Sequence, residues 1–120
     1  MDLNYQEIAD RAAAHALKSG IILDYSEKSI VEVESILGEY YNHLAEYDGR
    51  EGADTLWNIA VHYGIYLGET MLRLQLGEKG FAWYMDNGMP VLKNRTSAQI
   101  SPITKAHKRM LNLSLIHISE

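Results

Sequence analysis

Between Ala53 and Leu76 the apolar residues recur at helical spacing around more than half of a helix's circumference, and this limits the possible folds more than any other part of the chain. At about 100° per residue, Ala53, Leu56, Trp57, Ala60, Gly64, Leu67, Gly68 and Met71 share one face. Val61 and Leu72 widen that face on one flank, and Ile59 and Tyr63 widen it on the other. A helix of this kind is expected at the centre of the fold, with neighbours on two sides. Ala60, Gly64 and Gly68 are each four residues apart and form a furrow with no side chain larger than a methyl. Glycine inside a helix costs about 1 kcal/mol relative to alanine, so two of them need compensation from packing. The furrow therefore predicts that a helix backbone, or the aromatics of a second helix, lies directly against it.

The flanking segments supply those neighbours. A first helix is expected from Asn4 to Ser19, with Asn4 as N-cap, Glu7 reaching back as in a capping box, and Gly20 as the stop. Its inner stripe is Tyr5, Ile8, Ala9, Ala12 and Ala16. After the aliphatic connection "IILD", readable as a short strand, Ser26 should cap a second helix. That helix turns Ile30, Val33, Ile36, Leu37, Tyr40, Tyr41 and Leu44 inward, and Glu32, Glu39 and Glu46 toward solvent. "FAWYMDNGMPVLKN" reads as a hairpin turning at Asn87-Gly88, where a type I′ turn needs positive φ at both residues. The implied register pairs Trp83 with Leu92 and Tyr84 with Val91, and Pro90 restricts its strand to pairing on one side. "RTSAQI" is a loop or a brief third strand. Ser101 and Pro102 then open a last helix with Ile103, Ala106 and Met110 on its apolar side. The fold class is α+β: a three-helix N-terminal part, a small antiparallel hairpin or sheet and a short C-terminal helix.

Composition removes several kinds of chemistry. The 120 residues contain no cysteine, which excludes disulfides, thiolate metal sites and thiol nucleophiles. No H-x-x-x-H, H-E-x-x-H or E-x-x-H spacing occurs, no G-x-S-x-G elbow, and no phosphate-cradling glycine loop, so neither a metal, a cofactor nor a catalytic residue is expected. The net charge of −5 hides a split, with twelve acids and four bases before residue 60 but four acids and seven bases after it. The bases Lys93, Arg95, Lys105, Lys108 and Arg109 are too few, and too far from aromatics, to suggest nucleic-acid binding. No apolar run approaches the roughly 20 residues of a membrane span, and the start "MDLNYQEIADR" lacks a signal peptide's layout. The cytoplasm is the expected compartment.

One polar strip interrupts the central helix: Thr55, Asn58, His62, Tyr66, Glu69 and Arg73, with Glu69 and Arg73 spaced for an i,i+4 ion pair. It is read first as the wet side of a buried helix. It is also a candidate surface on which His62, Tyr66, Glu69 and Arg73, with Trp83 of the hairpin, bind a polar partner. The structural positions beneath that surface are Ala60, Gly64, Gly68, Asn87 and Gly88. The eight tyrosines are read mainly as the rim of the core.

At "LDYSEKSIVEVESIL", "GIYLGETMLR", the tryptophan of "FAWYMDNGMPVL" and "SPITKAHKRM", the chain resembles a group of small bacterial domains of unknown function. In that group a Gly-x-Tyr-Leu-Gly-Glu helix precedes a Trp-bearing hairpin and a Pro-led basic segment. Gly64, Tyr66, Gly68 and Glu69 match the helix motif and Trp83 the hairpin. Some look-alikes are immunity or accessory proteins of toxin systems, so the resemblance implies protein binding without a reaction. The alternative is a small-molecule site or weak enzyme centred on the polar strip. The final "LSLIHISE" resembles a translated sequencing-library adapter, the transposase mosaic end. On that reading residues 1–112 form one domain, cut short at its C-terminus, and 113–120 are not native.

Overall fold

A computed structural model describes residues 3–111; the expected adapter-derived tail at 113–120 lies outside them. The chain forms α1 (Tyr5–Leu17), α2 (Glu27–Asn42), a 3-10 turn (Leu44–Tyr47), α3 (Gly49–Met71) continued by a π turn (Leu72–Leu76), strands β1 (Ala82–Asp86), β2 (Met89–Lys93) and β3 (Gln99–Ile100), and α4 (Pro102–Leu111). This is the α+β arrangement expected, with the short helix last.

Local chemistry sets the helix starts. Asn4 accepts a hydrogen bond from the Glu7 amide at 3.0 Å. The Glu7 carboxylate does not reach back to complete a capping box; it pairs with Arg11 at 2.8 Å, the closer cation one turn on. Ser26 caps α2 by accepting from the Ser29 amide at 3.3 Å. The 21–24 connection forms no strand. α3 begins a turn earlier than the sequence predicts, because Gly49 takes φ of +74° and the absent side chain of Gly52 admits the Tyr47 carbonyl. The two glycines thus help start the helix.

α3 packs against α1, α2 and α4 and is the central element. Its furrow is filled along its length. A Cβ placed on Gly64 would lie 2.5 Å from the Ile103 Cα and 2.8 Å from its nitrogen, so the start of α4 rests backbone to backbone on the helix. A Cβ on Gly68 would lie 2.3 Å from Cη2 of Trp83. The aromatic in the furrow therefore comes from the hairpin and not from α2. Ile103, Ala106 and Met110 of α4 are buried in the same core. So are Ala9, Ala12 and Ala16 of α1 and Val33, Ile36 and Leu37 of α2. Trp57, expected inside, is 40% exposed and meets His107 edge to face, with centroids 5.2 Å apart. Ala53 is exposed as well, so the first turns of α3 project past the core.

The sheet order is β1-β2-β3, all antiparallel. Asn87 and Gly88 take φ of +52° and +82°, the left-handed pair a type I′ turn demands, and the register pairs Trp83 with Leu92 and Tyr84 with Val91. β2 is the middle strand, but β3 reaches only Leu92 and Lys93. Pro90, opposite Met85, is thus paired on one side, and its missing N–H interrupts no ladder bond.

Candidate functional site

Trp83 ties the hairpin to α1 and α3, while Met89 and the buried middle of β2 lie against α4. The Trp83 ring enters the Gly68 notch, stacks on Tyr5 of α1 with centroids 4.6 Å apart and planes 10° apart, and donates its Nε1–H to the Glu69 carboxylate at 2.9 Å. Steric fit, stacking and a charge-assisted hydrogen bond therefore constrain one rigid ring from three directions. Alternation along β1 turns Tyr84 to the opposite side of the sheet from Trp83. Tyr84 and Met85 are 54% and 56% exposed, although the Tyr5 hydroxyl donates weakly to the Met85 sulfur at 3.9 Å. β1 ends the sheet, and among the described residues no strand pairs with its outer edge. The two-residue turn makes Asp86 and Met89 a hydrogen-bonded pair, so ladder alternation points the main-chain groups of Met85 and Trp83 toward that edge.

The polar strip is not a continuous surface. His62 is half-buried and donates its Nδ1–H to the Asn58 carbonyl at 2.9 Å, beside a groove of about 300 Å³ between α1 and α3. Tyr66 points inward and is fully buried. Its hydroxyl accepts from the Tyr25 amide at 2.8 Å, and its ring packs on that of Tyr25 at 4.7 Å. The alanine face of α1 offers only methyls, so large rings from α3, Tyr63 and Tyr66, fill the space between the helices. These two tyrosines belong to the core and not to its rim. Arg73 does not pair with Glu69. It donates to the Gln6 side-chain oxygen and lies over the Tyr25 ring, 3.6 Å from the centroid. Of the five predicted binding residues, only Glu69 and Trp83 touch through a hydrogen bond; Tyr66 and Arg73 share Tyr25 as a neighbour, and His62 stands apart.

A second concavity lies where the sequence reading named no site. α1, α2 and the 3-10 turn enclose a groove of about 580 Å³. His15, exposed on α1, lines it with Nδ1 2.6 Å from the hydroxyl of the buried Tyr63. Burial pushes the Tyr63 pKa up, so the group is a neutral phenol able to donate to an unprotonated imidazole. Tyr40 and Tyr47 stand at the wall with ring centroids 5.6 Å apart. Burial, and then the Tyr47 hydroxyl, raise the Tyr40 pKa. At the rim His43 Nδ1 is 2.7 Å from Glu46 and Nε2 is 3.8 Å from Glu39. The one sequence signal was the i,i+4 spacing of Glu39 and His43, common on any helix. Among the described residues no group of three or more His, Asp or Glu side chains is arranged to hold a metal ion.

Comparison with protein families, with curated proteins and with solved structures gives no match to this chain.

Proposed function

We propose that this chain is a cytoplasmic, non-enzymatic protein-binding module that takes an extended segment of its partner along the outer edge of β1. One observation carries the reading: an edge strand with exposed Tyr84 and Met85 is fixed to the helical body by the adjacent Trp83. Strand addition uses main-chain hydrogen bonds for affinity and alternate side chains for selectivity. Tyrosine and methionine are side chains that interfaces favour. A hairpin already held in place loses little conformational entropy on binding. Glu69 and Trp83 then act as supports for the edge, and His62, Tyr66 and Arg73 hold together the body behind it. Membership of the toxin-system immunity or accessory class, which the motif resemblance implies, is the specific form of this proposal.

The test is selection of displayed peptides on the folded protein, followed by amide hydrogen exchange on the complexes. Extended binders that protect the Trp83 and Met85 amides, and that weaken at least about tenfold when Tyr84 and Met85 are both changed to Ala, are the expected outcome. Binders that protect only helical amides would refute the edge as the docking site.

A further inference from the structure

We propose that the groove between α1, α2 and the 3-10 turn is a binding site for an organic ammonium ion with a small apolar body. Four features of the groove point to that class of ligand, and none of them depends on the hairpin. Its volume of about 580 Å³ suits a small molecule. Its floor is aliphatic, made by Ala16, Ile21 and Ile36. Its wall includes the rings of Tyr40 and Tyr47, inclined at 55° to one another, and aromatic faces attract cations through the ring quadrupole. Its charged rim is acidic, since Glu39 and Glu46 line it and no lysine or arginine does.

The two rim carboxylates converge on one side chain. Both carboxylates approach the two nitrogens of the same imidazole, at 2.7 and 3.8 Å, so His43 occupies the position that an incoming N–H or N-methyl cation would share or take over. Side chains of Glu39 and Glu46 are 71% and 69% exposed, so each carboxylate alone contributes little and the tyrosine faces supply the remaining attraction. An anionic ligand would meet two carboxylates and no guanidinium or ammonium group. A purely apolar ligand would leave the rim's polar groups to bind water as before. On the α1 side, the His15 and Tyr63 pair offers a hydrogen-bonding group for a hydroxyl or carbonyl of the ligand.

The experiment is a titration of the full chain, followed by proton-nitrogen NMR, with tetramethylammonium, n-butylammonium, n-butyrate and neutral tert-butanol. Saturable shifts confined to the neighbourhoods of residues 15–21 and 35–47 are expected for the two ammonium ions, with butyrate and tert-butanol weaker by at least about tenfold. Changing Glu39 and Glu46 together to Gln should weaken the ammonium ions by about tenfold, the scale two rim carboxylates provide. Tyr40→Phe keeps the aromatic face and should bind as the parent does, whereas Tyr40→Leu should lose binding. Both glutamates are exposed and Phe retains the packed ring, so these variants report on binding without requiring the core to refold. Equal affinity for tert-butanol, unchanged binding in the double Gln variant, or shifts centred on the hairpin would each overturn the proposal.

Discussion

Gly64 and Gly38 lie in helices and are each approached by a neighbour, yet they should respond differently to alanine. At Gly64 the added methyl meets the Ile103 backbone, which cannot swing aside. Overpacking of that kind costs about 1–3 kcal/mol and exceeds the gain of about 1 kcal/mol in helix propensity. At Gly38 the methyl meets Nη2 of Arg109 at 2.8 Å, the end of a long side chain. Urea denaturation should therefore find Gly64→Ala less stable by up to about 2 kcal/mol and Gly38→Ala as stable as the parent or more so, by up to about 1 kcal/mol. Equal losses at the two sites would contradict the packing described. Tyr66→Phe tests the inward tyrosine: it leaves the Tyr25 amide without its acceptor, a loss of about 1 kcal/mol or more. If Tyr66 pointed to solvent, as its place on the polar strip suggested, the change would be neutral. The inward position was not legible, because it depends on the volume that the alanines of α1 leave empty.

Elements whose boundaries rest on neighbours in sequence were readable in advance. Asn4 and Ser26 cap their helices, and Asn87-Gly88 sets the hairpin register, because each acts within a few residues of itself. Gly88 holds φ of +82°, so Gly88→Ala should destabilise by roughly 1–2 kcal/mol and loosen the Trp83–Leu92 pairing in NMR spectra. A variant that keeps both stability and cross-strand contacts would show that the turn does not fix the register. Elements placed by distant partners were less readable. The furrow announced that something would fill it, but not that α4 would take Gly64 and a tryptophan from the hairpin would take Gly68. The Glu69 and Arg73 pair failed for the same reason: Trp83 and Gln6, fourteen and sixty-seven positions away, were better placed. The groove at His15 and Tyr63 joins residues forty-eight apart and left no local pattern to find.

For the molecule as a whole, the buried phenols set an alkaline limit. Tyr25, Tyr40 and Tyr63 all have pKa values raised above their ordinary 10.0, burial being the first cause in each case; for Tyr25 the hydrogen bond to Asp10 adds to it. A raised folded-state value means that their stabilisation is complete below pH 10.0 and is lost as pH rises beyond it, because the unfolded chain ionises first. Urea midpoints should fall above that pH, and Tyr63→Phe should flatten the decline; an unchanged slope would remove Tyr63 from the account. His107 acts at the other end. Burial lowers its pKa from 6.5, so its contribution is present above that value and declines as pH falls through the folded-state value. No described helix is long and apolar enough to cross a membrane. The described chain is thus one helical body around α3, with the sheet fastened to it at the Gly68 notch. That fastening is tested most directly by a double-mutant cycle of Gly68→Ala and Trp83→Phe in urea denaturation. Phenylalanine lacks the outer ring atoms that the new methyl would strike, so the double variant should be more stable than the two single losses predict, by about 1 kcal/mol or more. Strict additivity would mean that Trp83 does not sit in the furrow, and the hairpin would lose its anchor.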